Sequence, residues 1–249
     1  MANSDEFYAK ILPLYDKLIS YENRKERETP FWKKLFNKYQ ILNAHDCACG
    51  TGHHLLIFNE LGISCSGSDL SDAMVNEAKK KCEERNLKNT IFQADFRNIK
   101  TYLKKPVDLI VNLGNSLAYL SKEEYILVHL KGCNSSLSNE GVLVIDTRNY
   151  DYLLKERPRF IPLSFREDYG FIYAIDYLKE SIQFNVLYFN LSNKDFQKFS
   201  TTYYPILYEK LIHYLKESGF EFENQYSNYN FEAFNLNTSS NLIIVAKKK

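Results

Sequence analysis

Asp46-Cys47-Ala48-Cys49-Gly50-Thr51-Gly52 stands directly after a run that reads as strand and directly before one that reads as helix. Glycines at 50 and 52 allow a tight turn and let bare backbone approach a ligand. Asp69 ends the next strand, 23 residues after Asp46. A carboxylate there can accept hydrogen bonds from both ribose hydroxyls of a nucleoside. A dinucleotide would need a third glycine at position 55, where Leu55 stands. Asp46 would also repel a pyrophosphate, whereas it suits a cationic sulfonium that carries an ammonium group. The expected ligand is therefore S-adenosylmethionine, contacted by Asp46, Ala48, Gly50 and Gly52 of the loop and by Asp69 and Leu70 at the strand end. Further on, Asp95 can accept from the adenine amino group while Phe96 covers the ring; the same aspartate can equally cap a helix.

These residues need a frame, and the apolar pattern supplies one. Strands are expected at 41–48, 63–69, 90–94, 107–113 and 142–146, with helices at 53–61, 73–84 and 123–137 and a short one near 97–103. Asp72 and Ser121 occupy N-cap positions in this reading. Such alternation predicts an α/β fold, a Rossmann-like parallel sheet with helices on both faces. Residues 1–40 read as a helical lid, with Phe7, Ile11, Leu14, Leu18 and Tyr21 at helical spacing and Pro30 restarting a helix. The rhythm changes over 159–205, where 171–177, 182–191 and 196–204 read as consecutive antiparallel strands, an insertion over the active-site edge. The core is expected to comprise 41–158 and 206–249, closed by a helix at 207–218 and strands at 220–229 and 241–246. Lys247-Lys248-Lys249 reads as a solubilising tail.

Composition narrows the partners. The 249 residues suit one α/β domain with an insertion. With 32 basic and 31 acidic side chains, a net charge of +1 gives no reason to expect nucleic acid or an anionic membrane surface. The longest apolar runs are strand-length, and the N-terminus has no signal-peptide pattern. Five cysteines without a C-x-x-C pair point to reduced thiols, a cytoplasmic setting and no metal. Aromatics reach 15%, with 19 Tyr and 17 Phe that thicken after residue 149. They can fill a β-rich core, and tyrosines among them can also line a polar pocket.

The sequence resembles the class I methyltransferases, and within them the glycine N-methyltransferase and glycine–sarcosine N-methyltransferase group. The matching stretches are Tyr15-Asp16 with Leu18-Ile19 and Arg24, the loop from Asp46 to Gly52, Gly67-Ser68-Asp69, Leu113-Gly114-Asn115-Ser116-Leu117-Ala118, Ile145-Asp146 through Arg148-Asn149-Tyr150-Asp151-Tyr152, and Tyr203-Tyr204-Pro205. The resemblance implies that Arg24 grips the donor's methionyl carboxylate, a task suited to a guanidinium fork. Read alone, residues 22–28 are a solvated charge run. It also implies that Arg148 holds the acceptor's carboxylate and that Asn115 contacts the acceptor; by themselves these read as a loop salt bridge and a left-handed turn residue. Tyr21, Leu113, Ser116 and Tyr119 are carried over as donor contacts, and Tyr8, Tyr173, Tyr188 and Tyr203 as hydroxyls around the acceptor. Tyr119 departs from the pattern, because glycine-specific members often carry histidine there.

Methyl transfer from a sulfonium disperses charge, so a dry, enclosing site favours it. Alignment alone can contribute as much as ~7–11 kcal/mol. No strong base is required if the amine enters neutral, and His53, His54 and His213 are not placed to act as one. Three readings stay open: an amino-acid N-methyltransferase, a methyltransferase for another small molecule such as an amino sugar or polyamine, and a quiet binding protein. In each, the partner is a small molecule, and an oligomer is possible.

Overall fold

The computed structural model describes residues 2–249. Its chain begins with two helices, α1 (Ala2–Leu18) and α2 (Tyr21–Tyr39). An alternating series follows: β1 (Asn43–Asp46), α3 (His53–Glu60), β2 (Ser64–Asp69), α4 (Asp72–Glu84), β3 (Thr90–Gln93), α5 (Ile99–Tyr102), β4 (Val107–Asn112), α6 (Glu123–Ser136) and β5 (Leu137–Arg148). Then come α7 (Tyr150–Glu156) and four strands, β6 (Phe160–Phe165), β7 (Tyr169–Tyr177), β8 (Ile182–Asn190) and β9 (Asp195–Tyr203). The chain closes with α8 (Tyr208–Glu217), β10 (Phe220–Tyr226) and β11 (Asn241–Lys248).

The seven-stranded sheet runs β10-β11-β5-β4-β1-β2-β3. Its β1–β5 neighbours pair in parallel, while β11 pairs antiparallel with both β5 and β10. Strand alternation divides the core. Leu109, Val111 and Val144 face Phe31, Trp32, Leu55 and Phe58, whereas Ile110, Leu143 and Ile145 face Ile126, Leu130, Leu211 and Leu215. Apolar residues on both faces of β4 require helices on both sides, and the fold supplies them. The reversal of strand order between β1 and β4 opens a crevice at the carboxyl edge, where ligands of such sheets bind.

The second sheet, β6-β7-β8-β9, is antiparallel throughout. Its inner face buries Phe171, Val186 and Tyr188 against Phe7 and Ile11 of α1.

Several local expectations need correction. The helical break falls at Ser20, whose hydroxyl caps α2 by accepting from the Asn23 N–H at 3.4 Å. Helix α2 runs on through the exposed Pro30, because Phe31, Trp32, Leu35 and Phe36 bury one continuous face. Ser71 and Lys122, not Asp72 and Ser121, hold the cap positions of α4 and α6. Strand β5 starts five residues before position 142, through an irregular stretch with Glu140 at φ 65°. Arg148 ends that strand, paired with Asn241, instead of following it. Strand β6 was not expected; it is an edge strand that tolerates Pro162. The terminal lysines are partly built in: Lys247 pairs with Glu140, and Lys248 Nζ donates to the Leu137 carbonyl at 2.7 Å.

Candidate functional site

A cavity opens at the carboxyl edge of β1, β2 and β4. Its wall includes Ala48, Gly50, Asp69, Phe96, Tyr15 and Arg24. The Gly50 and Gly52 backbones are left-handed, at φ 52° and 83°. A Cβ on Gly52 would lie 3.1 Å from Ala78 Cβ, so glycine there lets α4 pack against the loop. Asp69 fixes the turn from the other side: its carboxylate accepts the Gly50 N–H at 2.8 Å and the Ser71 N–H at 2.9 Å. Burial pushes its pKa up to about 6, against the pull of those backbone donors.

Below this cavity lies a buried chain of charges. Glu28, 1% exposed, sits at its centre. One carboxylate oxygen accepts from Arg27 at 2.7 Å and stands 3.5 Å from Arg24 Nε. The other lies 3.0 Å from His54 Nε2 and 3.4 Å from the Trp32 indole nitrogen. His54 Nδ1 stands 3.6 Å from Asp46 Oδ2, while Asp46 Oδ1 accepts the Ala48 N–H at 3.1 Å. Burial alone would raise the Glu28 pKa, but His54, Arg24 and Arg27 hold it down at about 2. Burial opposes the imidazolium of His54, yet Glu28 and Asp46 outweigh burial and the repulsion from Arg24, so its pKa is raised. Arg24 Nε and Asp46 Oδ2 are buried and have no hydrogen-bond partner among the described residues. Arg24 also lines the cavity. A guanidinium on the cavity wall fits a ligand with a carboxylate.

Helix α1 is fastened over this region by polar contacts. Asp16 accepts from Lys81 of α4 at 2.6 and 2.8 Å and lies 3.1 Å from His53 Nε2. Through that clamp, α1 presents Tyr8 and Tyr15 to the cavity.

A second cavity shares Tyr8, Tyr15, Arg24 and Gly114 with the first. It reaches on to Tyr173, Thr201 and Tyr203 of the antiparallel sheet. The Tyr119 hydroxyl lies 3.1 Å from that of Tyr8, 3.3 Å from Tyr203 and 3.3 Å from Thr201. Burial raises the pKa of Tyr8 and Tyr119 well above that of an ordinary phenol and pushes Tyr203 up to about 12. These groups are neutral hydrogen-bonding phenols. The Arg148 guanidinium packs on the rings of Tyr173 and Phe184, 5.1 and 4.7 Å from their centroids. Its Nε is buried with no partner, and no carboxylate pairs with it among the described residues.

The expected site residues thus fall into three groups. Ala48, Gly50, Asp69, Leu70, Phe96, Leu113, Ser116, Tyr119, Arg24 and Tyr8 line the first cavity, and Tyr173 and Tyr203 the second. Asp46, Gly52, Asn115 and Arg148 stand behind the walls. The Asn115 side chain accepts from Thr147 Oγ1 at 3.0 Å and the Arg148 N–H at 3.1 Å, and donates to Tyr150 at 3.0 Å. It therefore braces the loop that presents Gly114. Three residues lie away from both walls. Tyr21 donates to Glu60 at 2.8 Å, Tyr188 is buried among Phe171, Val186 and α1, and Asp95 caps the next turn and is held by Arg97. Sequence reasoning missed Tyr15, Glu28 and His54. Cys47, His129 and Cys133 also converge in the core, their ligand atoms within 4.8 Å, but both His129 ring nitrogens are occupied, by Phe96 O and Asn112.

Residues 44–141 match the family model described as a methyltransferase domain. A glycine/sarcosine N-methyltransferase from Aphanothece halophytica is 25% identical over 98% of this chain and 90% of its own length. Among solved structures, an S-adenosylmethionine-dependent methyltransferase from Clostridium acetobutylicum superposes with TM-score 0.81 at 19% identity, covering 97% of this chain and 98% of that one. An amino pentose methyltransferase from Micromonospora echinaspora, solved with its S-adenosylmethionine bound, gives TM-score 0.69 at 17% identity over 89% and 90%. No helix among the described residues is long and apolar enough to cross a membrane. Glycine loop, strand-end acid, sheet order and matches agree: the chain is a class I S-adenosylmethionine-dependent methyltransferase that resembles the glycine N-methyltransferases.

Proposed function

We propose that this enzyme methylates the nitrogen of a small amino acid, glycine- or sarcosine-like, and that the second cavity receives it. The observation that carries this reading is the Arg148 guanidinium, without a carboxylate of the protein and stacked on Tyr173, which forms the wall of that cavity. The full-length relative named for glycine and sarcosine supports it. S-adenosylmethionine supplies a methyl group on a positively charged sulfur. The chain's residues do the positioning. Asp69 accepts from the ribose, Arg24 takes the methionyl carboxylate, and Phe96 covers the adenine. Arg148 takes the acceptor's carboxylate while Asn115 holds the loop at Gly114. The hydroxyls of Tyr8, Tyr119 and Tyr203 accept from the amine's N–H bonds and leave its lone pair free. Residues 1–40 act as the lid, since α1 and α2 bring Tyr8, Tyr15 and Arg24 over the site and keep water out.

The test compares an amino acid with its decarboxylated amine. Wild-type enzyme is expected to methylate glycine or sarcosine and to neglect methylamine or dimethylamine. Arg148→Lys is expected to lose about 2–5 kcal/mol in kcat/KM for the amino acid, because an ammonium cannot reproduce two parallel hydrogen bonds. Equal turnover of the decarboxylated amine would replace this reading with a methyltransferase for another small amine. The neutral hydroxyl cluster would suit that acceptor too, since it needs no carboxylate.

A further inference from the structure

His54 belongs to neither the loop glycines nor the strand-end acid, yet it lines the first cavity beside Arg24. The two are joined through Glu28, which lies 3.0 Å from His54 Nε2 and 3.5 Å from Arg24 Nε. The His54 Nδ1 is 3.6 Å from Asp46 Oδ2, an ion pair longer than a hydrogen bond. From these contacts we infer that His54 is a second cation of the subsite that takes the donor's methionyl carboxylate, and that protonation of His54 governs donor affinity. This rests on the proposed orientation of the donor, carboxylate towards Arg24.

The charge balance carries the argument. Groups that face His54 are Glu28 and Arg24 from α2, Asp46 from β1 and Asp146 from β5, with Tyr229 donating to Asp146 at 3.0 Å. Arg27, half-exposed, faces Glu28 from outside. With His54 protonated, Arg24 and His54 offset Glu28 and Asp46, and an incoming carboxylate meets no net repulsion. With His54 neutral, Arg24 alone faces two buried carboxylates, and a third would add to them. Asp146, whose pKa burial raises, adds no relief. Burial keeps these interactions unscreened. The sign is then fixed: donor affinity falls as pH rises through the titration of His54, whose pKa lies above the ordinary imidazole value.

The experiment is calorimetric binding of S-adenosylhomocysteine and of its decarboxylated form to the full chain between pH 6.5 and 9. Wild-type protein is expected to lose affinity for S-adenosylhomocysteine by about tenfold across this range, as befits a charge-assisted hydrogen bond, and to show no such slope with the decarboxylated probe. His54→Gln should bind S-adenosylhomocysteine about tenfold more weakly at the acid end, with the slope abolished. Glu28→Gln removes the anion that stabilises the imidazolium, so its slope should begin at lower pH. A His54→Gln variant that keeps the wild-type slope overturns the role of His54. If wild type fails to distinguish the two probes at any pH, the donor's orientation is itself wrong and the inference falls with it.

Discussion

Beneath the first cavity, Arg24, Glu28, His54 and Asp46 form a buried series in which opposite charges alternate at separations of 3.0 to 3.6 Å. The second shares Arg24 with it, and its other polar groups include the hydroxyls of Tyr8, Tyr203 and Thr201, joined by Tyr119 from the first cavity's wall, with Arg148 set behind Tyr173. On the proposed function, the difference follows from what each must hold. S-adenosylmethionine brings a sulfonium, an ammonium and a carboxylate, and fixed opposite charges in a dry interior can meet them only if each is itself paired. A nucleophilic amine must arrive neutral. Phenols whose pKa lies well above neutrality accept its N–H bonds without drawing it into the protonated form.

The largest effect is expected at Glu28, where the charged series can be broken at its centre. Glu28→Ala leaves Arg24 and His54 facing one another below the cavity, and removing one partner of a buried pair costs about 3–5 kcal/mol. Chemical denaturation should show this loss at neutral pH. The pH dependence has a definite sign. The Glu28 pKa is depressed, so its stabilisation is complete above the ordinary carboxylate range and disappears as pH falls through about 2. The His54 pKa is raised, so its part is complete below the ordinary imidazole range and is lost as pH rises through the folded value. The Glu28→Ala variant should therefore show a flatter stability profile at both ends.

Asp69 tests the charged side more gently. Asp69→Ala should weaken S-adenosylhomocysteine binding by about 1.5–3 kcal/mol, since hydrogen bonds to a charged acceptor are lost and the Gly50 turn loses a brace. Because the Asp69 pKa is about 6, wild-type affinity should also decline as pH falls through 6. Calorimetry on Asp69→Asn should show that acid limb removed. A limb that persists in this variant would assign it to another group.

How much of this was legible in the sequence depends on chain distance. Asp46 to Gly52 and Asp69 were readable because the loop's backbone does the binding and its acid closes the adjacent strand. Glu28 was not, because it sits in a run of seven mostly charged residues, and its partner His54 stands 26 residues away in the sequence. The parallel strands announced themselves by apolar runs, whereas β6 carries Pro162 and exposed positions at a sheet edge. Asn149 could have announced α7, since its side chain accepts the Tyr152 N–H at 3.3 Å as an N-cap. Tyr21 and Tyr188 show the limit of carrying residues over by type: among the described residues, neither lines either of the two cavities.

The smallest expected effect belongs to Tyr119, which joins three segments that no sequence window could connect: α1 through Tyr8, the turn at Ser116–Tyr119, and β9 through Thr201 and Tyr203. Its ring centroid lies 4.9 Å from that of Tyr203, so Tyr119→Phe keeps the packing and removes only the hydroxyl. A single hydroxyl has one proton to donate, and the remaining neighbours donate to it or reorient, so the loss should be that of an ordinary neutral hydrogen bond, about 0.5–1.5 kcal/mol. If the second cavity handles the amine as a neutral species, this loss should appear in kcat/KM for the acceptor, with donor affinity nearly unchanged. The wild-type rate should also show no alkaline decline traceable to these phenols below pH 10, the ordinary phenol value above which all three lie. A Tyr119→Phe variant that loses donor affinity while its acceptor KM stays fixed would show that this hydroxyl serves the donor, whose cavity it lines, and not the acceptor. An alkaline decline below pH 10 that disappears in the same variant would mean the cluster ionises during turnover, and the contrast between the two cavities would no longer hold.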